Sequence, residues 1–289
     1  INRNKVDVIH AQTRTTQVLA WLLSKAAKAR FVSTCHGFFK SDRIGRRIFG
    51  GWGDYVIAIS EAVKDHLVND FNVKEEKVCL LYNGVDTDKF SDTIPEDEKI
   101  LLRENLGFGS RPVIGCIARL SPVKGLHYLL FAMKEVLKDL PEAQLFLVGD
   151  GPSRKELTDL AKRLGIDNNI FFASSNVQTG RLLSVMDVFV FHSLEEGLGL
   201  SLLEALASGK PCVASLVGGV SSIIEDGLTG VLVPPRDAHS LSEAITKVLK
   251  DKKLSALLAE NGREIIKRKF SLDRMVEGVI DVYRKAIQK

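Results

Sequence analysis

Short runs of β-branched and aromatic residues alternate along the chain with longer stretches whose apolar positions recur every three or four residues. The first pattern is that of buried strands, the second that of amphipathic helices. It predicts strands over residues 6–10, 31–35, 55–59 and 78–81, with helices over 16–28 and 61–69. Residues 91–99 break the rhythm: they are polar, contain Pro95 and four acidic residues, and read as a linker. Beyond them the alternation restarts. Strands are expected over 113–117, 144–148, 170–172, 188–191, 211–214 and 231–233, and helices over 126–137, 153–164, 181–186 and 200–208. A short element over 220–225 and two helices complete the chain. Strands alternating with helices make parallel sheets with right-handed crossovers. Two such series around a linker predict an α/β protein of two Rossmann-like domains.

Ligands of such sheets bind outside the carboxyl ends of the strands, and four loops there carry chemistry. Within residues 191–219, Glu196 and Glu204 stand eight positions apart, one in a loop and one on the following helix. Gly197 and Gly199 between them let backbone N–H groups approach a ligand that a side chain would hold off. The helix that starts there, at Leu200, offers unpaired N–H groups and a partial positive charge, which suit an anion. Arg119 and Lys124 lie five apart across a turn containing Pro122 and can converge on a diphosphate, the Arg as a planar fork and the Lys as a point charge. Gly149 and Gly151 bracket a tight turn, and Gly218 and Gly219 form a second glycine loop. Each has an ordinary reading: a basic loop, a plain turn, a solvated helix carboxylate. Against the last stand Leu202, Leu203 and Leu206, which mark a largely buried helix, and a buried carboxylate needs partners. Ribose hydroxyls would supply them, so the set points to a nucleotide sugar.

Composition narrows the class. The 289 residues carry a net charge of +4, well short of a nucleic-acid-binding signature. Lys40, Arg43, Arg46 and Arg47 form either a solvated face or a patch for an anionic membrane surface. Four scattered cysteines without metal-ligand spacing suggest reduced thiols in a cytosolic protein. No apolar run approaches the roughly 18 residues of a membrane span.

Taken together, residues 115–125 (GCIARLSPVKG), 147–152 (LVGDGP), 196–215 (EGLGLSLLEALASGKPCVAS) and 217–219 (VGG) resemble the donor half of the family 4 retaining glycosyltransferases, glycosyl transferases group 1. Residues 225–237 (EDGLTGVLVPPRD) and the Phe270-Ser271 pair extend the match. The resemblance implies the GT-B fold, with a partial acceptor-side domain over 1–92, a donor domain over 93–270, and a helix over 271–289 that crosses back. It implies transfer of a sugar, with retention, from a nucleoside-diphosphate sugar to a hydroxyl of a glycan or lipid-linked acceptor. UDP is expected before GDP or ADP, and cell-envelope polysaccharide or lipopolysaccharide synthesis is the expected setting. No permanently bound cofactor, no metal and no nucleic acid are expected. The implied location is the cytoplasm, peripheral on the inner face of the cytoplasmic membrane. Arg119 and Lys124 would hold the diphosphate, and Glu204 the ribose. Glu196, the amides of Leu198, Gly199 and Leu200, and the glycines at 149, 151, 197, 218 and 219 would line the donor. His36, just after a strand and beside Gly37, matches the histidine at the sugar's reacting face; His10 and Arg14 fall on the acceptor side.

Several positions depart from the family pattern. The first-domain HxH reads His10-Ala11-Gln12, Leu198 stands for the usual Phe, and Val220-Ser221-Ser222 follows Gly219 where relatives have Pro-Glu. The Asp86-Thr87-Asp88 triplet reads as structural. Relatives begin with about three further βα units, so the N-terminal domain is expected to be incomplete and the polypeptide alone to be aggregation-prone or self-associating. A non-catalytic sugar-nucleotide-binding fragment and another GT-B enzyme, such as an epimerase, are the alternatives.

Overall fold

The computed structural model describes residues 6–39, 51–91, 94–174 and 179–288. The basic positions Lys40, Arg43, Arg46 and Arg47 lie outside them. Contacts divide the chain into two compact units. One comprises Ile1–Gly84, Glu196–Leu198 and Phe270–Lys289, the other Val85–Glu195 and Gly199–Lys269.

In the first unit β1 (Val8–Ala11), β2 (Arg30–Cys35), β3 (Tyr55–Ala58) and β4 (Val78–Leu80) form a parallel sheet in chain order. Helix α1 (Arg14–Ala27) links β1 to β2, and α2 (Glu61–Asn69) links β3 to β4. Thr13 opens α1 with a capping box in which Thr16 does the work usually given to Glu; Ser60 Oγ accepts the Val63 amide at the start of α2. Each cap satisfies an amide that the helix cannot.

The second unit is a six-stranded parallel sheet of β5 (Val113–Ile117), β6 (Gln144–Val148), β7 (Ile170–Ala173), β8 (Val188–Phe191), β9 (Cys212–Ser215) and β10 (Val231–Val233). Its order is β10-β9-β8-β5-β6-β7. The helices are α3 (Thr87–Ser91), α4 (Glu96–Asn105), α5 (Leu126–Asp139), α6 (Arg154–Leu164), α7 (Thr179–Ser184), α8 (Leu200–Ala207), α9 (Ala238–Lys250) and α10 (Lys252–Lys269). Strands such as VIGCI and VFVF, and QLFLV after Gln144, are apolar because both faces of a parallel sheet are covered. Leu129 and Met133 of α5, Leu157 of α6, and Leu241 and Ile245 of α9 pack with Ile114, Leu145, Leu147, Val190 and Val213 in one core.

The expected linker over 91–99 is corrected by α4, which begins inside it at Glu96. The acidic residues that suggest a solvated linker are its first turn: Glu96, Asp97 and Glu98 follow Pro95 and face the positive end of the helix dipole. The helix is fastened by Arg103, a buried residue that donates to the carbonyls of Gly109, Arg111 and Val185 and pairs with Asp187 at 3.4 Å. Asp187 in turn accepts the Val113 amide at 2.7 Å, which joins the starts of β5 and β8. The expected element at 220–225 is instead a 3-10 turn over Gly218–Ser222.

The final helix, α11 (Leu272–Ile287), belongs to the first unit. Val282 and Ala286 are buried against Val32, Tyr55 and Ile57 of its sheet.

Candidate active site

The strand order of the second unit reverses direction between β5 and β8, and a crevice opens where such a reversal occurs. The two loops that leave these strands are 118–125 and 192–199. Residues Pro122–Lys124 form a 3-10 turn that ends at Gly125, where φ is +60°. The turn is bonded to its neighbour: the Leu194 amide donates to the Val123 carbonyl at 2.8 Å. Lys124 is half-buried, with Nζ 5.5 Å from the centre of the Phe191 ring, while Arg119 is exposed. The Phe191 ring thus flanks the lysine ammonium, a cation–π arrangement at the end of β8.

The turn at 149–151 closes on the same loop. A Cβ on Gly149 would lie 1.9 Å from the Ala118 carbonyl oxygen, and one on Gly151 2.3 Å from that of Leu120. Leu120 donates its amide to the Asp150 carbonyl at 2.9 Å, and Ser174 Oγ donates to the Asp150 carboxylate at 2.8 Å. Glycine is therefore required at both positions by backbone packing, independently of any ligand.

After β8 the chain reaches Gly199, whose φ of +110° starts α8. Its carbonyl accepts the Leu202 and Leu203 amides, which leaves the first amides of the helix, Leu200 among them, without intrahelical partners. Glu204 lies one turn into this helix and is half-buried. Burial pushes its carboxyl above the usual range, and Lys89 of α3 pulls it back. Gly218 and Gly219 follow β9 in the 3-10 turn. One bond joins the ends of β8 and β9: His192 Nδ1 and Ser215 Oγ are 2.5 Å apart in the interior. This bond ties the strand end that carries Glu196 to the one that carries Gly218 and Gly219. Burial pushes the His192 imidazole down to about 4, so it is neutral near pH 7.

In the first unit His36 follows β2, and its Nε2 lies 2.6 Å from Gln12 Oε1. Desolvation by the surrounding chain holds its pKa below the ordinary histidine range. Residues 196–198 cluster with this unit: a Cβ on Gly197 would lie 2.5 Å from the His36 carbonyl oxygen. His10 bonds Tyr283 through Nδ1 at 2.7 Å and Thr34 through Nε2 at 2.8 Å, so both ring nitrogens are engaged within the fold. Arg14 reaches Gln17 at 3.3 Å. Asp86 caps α3 by accepting the Lys89 amide at 3.2 Å, which gives the Asp86-Thr87-Asp88 triplet a structural use.

Two family models match these units. Glycosyl transferases group 1 matches residues 97–265, more than half of the chain, and Glycosyltransferase Family 4 matches residues 1–89. The chain belongs to the glycosyl transferases group 1 family. This glycosyltransferase is 28% identical over 300 residues to an uncharacterized glycosyltransferase of Methanocaldococcus jannaschii, covering 99% of this chain and 77% of the relative. It is 26% identical to the Escherichia coli UDP-Gal:alpha-D-GlcNAc-diphosphoundecaprenol alpha-1,3-galactosyltransferase, over 98% of this chain and 76% of that one. Anabaena Alr3699/HepE, solved in complex with UDP and glucose, superposes with a TM-score of 0.90 at 26% identity, over 96% of this chain and 78% of that one. The glycosyltransferase has the GT-B fold, two parallel-sheet α/β domains.

Four residues beside the candidate site residues lie outside what motif spacing reports. Lys89 sits in a polar run with nothing to mark it as the charge opposite Glu204. His192 and Ser215 are 23 positions apart and meet only because β8 and β9 are neighbours. Gln12 stands out in the sequence as a departure from HxH, but its bond to His36 depends on the β1–β2 register.

Proposed function

We propose that this glycosyltransferase moves a sugar from a nucleoside-diphosphate sugar to a hydroxyl of a glycan or lipid-linked acceptor, with retention at the anomeric carbon. The observation that carries the reading is the Leu194–Val123 bond, which joins the Arg119–Lys124 loop to the glycine loop at the β5–β8 reversal. In this reading the two cations and the helix-start amides together supply the positive charge and donors that a diphosphate requires.

In this reading Arg119 and Lys124 hold the diphosphate and offset the charge that grows on it as the glycosidic bond breaks. Glu204 accepts from the ribose hydroxyls. Glu196 and the amides of Leu198, Gly199 and Leu200 bind the sugar and the β-phosphate, with Gly218 and Gly219 beside them. His36, neutral at physiological pH, meets the reacting face of the sugar. The acceptor hydroxyl attacks the anomeric carbon from the side of the departing diphosphate, and its proton passes to a donor phosphate oxygen, so no protein nucleophile is assigned. UDP is the favoured nucleotide, in keeping with the Anabaena complex. A lipid-linked acceptor accords with the diphosphoundecaprenol substrate named for the Escherichia coli relative. Such an acceptor would place the enzyme on the inner face of the cytoplasmic membrane, in envelope glycan synthesis; no helix among the described residues is long and apolar enough to cross a membrane.

The test is thermal unfolding with UDP, GDP, ADP and CDP in parallel, on the wild type and on Lys124→Ala. A nucleotide at roughly 100 times its Kd adds about 2.7 kcal/mol. A rise with one nucleotide that Lys124→Ala abolishes is expected. An equal rise in the variant would remove the diphosphate role of Lys124.

A further inference from the structure

The loop that carries His36 is anchored by a pair of residues from outside the site. His66, on the last turn of α2, has Nε2 2.9 Å from the Phe39 backbone N–H and Nδ1 2.5 Å from Asp70 Oδ2. The His66 side chain is only 9% exposed, and Asp70 stands at the surface. The rings of Phe38 and Phe71 meet the imidazole edge-on at 5.3 and 5.1 Å.

The chemistry of these two bonds leaves one arrangement. A backbone N–H can only donate, so Nε2 must present its lone pair to Phe39. The ring proton then sits on Nδ1 and is donated to Asp70, whose carboxylate can only accept when ionised. Asp70 thereby selects the tautomer that can hold Phe39. The opposite tautomer would turn one N–H against another. Phe39 is three residues after His36, and the His36 ring is held from the other side by Gln12. The short span between strand β2 and the Phe39 amide is therefore pinned at both ends.

We propose that His66 is a positioning residue for the transfer reaction: Asp70 fixes its tautomer, and it fixes the loop that presents His36. The proposal rests on the role given to His36 above. A histidine with its own carboxylate, rather than another backbone carbonyl, closes this loop because it supplies a directed acceptor from a helix packed beside the sheet. Displacement of a reacting group by about 1 Å costs as much as 100-fold in rate.

The experiment uses the full chain with His66→Leu, His66→Gln and His36→Ala. Its readouts are amide exchange at Phe39, long-range 1H–15N correlation of the His66 ring, the UDP-induced thermal shift, and release of UDP from UDP-glucose. The wild type is expected to show His66 unprotonated at Nε2 and a protected Phe39 amide. His66→Leu should lose that protection and slow UDP release by roughly 10- to 100-fold, with the UDP-induced shift unchanged. His66→Gln, whose amide oxygen can accept from Phe39, should recover both. A wild-type ring protonated at Nε2 overturns the proposal without any variant. So does UDP release within twofold of wild type in His66→Leu while His36→Ala is inactive. If His36→Ala itself keeps full turnover, the role of His36 fails first and the inference falls with it.

Discussion

The amide of Leu194 donates to the carbonyl of Val123, and this bond holds the loop after β5 against the loop after β8. Gly125 makes the contact achievable. Its φ is +60°, and a Cβ there would lie 2.8 Å from the His192 carbonyl oxygen. Gly125→Ala should cost about 1–3 kcal/mol of stability through backbone strain and separate the two loops. Chemical denaturation and nucleotide titration check the two effects together. A variant that unfolds earlier but binds its nucleotide as tightly as wild type would detach the loop–loop bond from the ligand site.

Arg119 and Lys124 are expected to contribute unequally. Lys124 is held by the Phe191 ring, so its ammonium is pre-positioned; the exposed Arg119 must be ordered by the ligand. A charge-assisted hydrogen bond is worth about 1.5–3 kcal/mol. Lys124→Ala should therefore weaken nucleoside diphosphate binding by roughly 10- to 150-fold, and Arg119→Ala by less. Isothermal titration at two salt concentrations decides it. Equal losses in both variants would show that the Phe191 wall confers no advantage.

The candidate loops stand out in the sequence because their residue types are the signal on which the proposal rests. Glycines between two carboxylates, and Arg and Lys across a proline turn, each have an ordinary reading alone and point to a nucleotide sugar only as a set. The strands were legible for a similar reason, since a doubly covered sheet writes itself as unbroken apolar runs. What stayed hidden depends on which elements become neighbours. The acidic run ahead of Arg103 looks like a linker until Arg103 is seen clamping the carbonyls of Gly109, Arg111 and Val185. The His66–Phe39 bond spans 27 positions and the His192–Ser215 bond 23, and neither pair has a periodicity to betray it.

Glu204 should show a trade between stability and binding. Burial raises its carboxyl pKa, so the folded chain holds that proton more tightly than the unfolded one. Stability from this group is present below the ordinary glutamate value and declines as pH climbs through the raised folded value. At neutral pH the ionised side chain therefore costs the empty protein. Glu204→Gln should raise the ligand-free Tm at pH 7, and the gain should shrink as the pH is lowered towards the ordinary glutamate value. It should also weaken nucleotide binding, because a carboxylate accepts from both ribose hydroxyls more strongly than an amide does. A 2′-deoxynucleotide should bind the two proteins more alike. Unchanged affinity for the ribonucleotide would take the ribose from Glu204.

His192 carries the opposite pH dependence. Its pKa is pushed down to about 4 by burial first and by His127 second, with Asp237 opposing. The unfolded chain takes up the proton near the ordinary value of 6.5 and the folded chain only near 4. Stability therefore falls as pH drops from 6.5 towards 4, by an amount on the order of 3 kcal/mol. His10, His36 and His127 are lowered as well and act in the same direction, so the His192 share is read as a difference between proteins. His192→Gln, which can still bond Ser215, should flatten that part of the curve in urea unfolding between pH 4 and 6.5. Because the Ser215 bond joins the ends of β8 and β9, His192→Leu should in addition weaken nucleotide binding at pH 7, where the wild-type ring is neutral. Equal pH slopes in wild type and His192→Gln would mean that the ring is reached by solvent or relieved by motion, and the β8–β9 tie would lose its buried character.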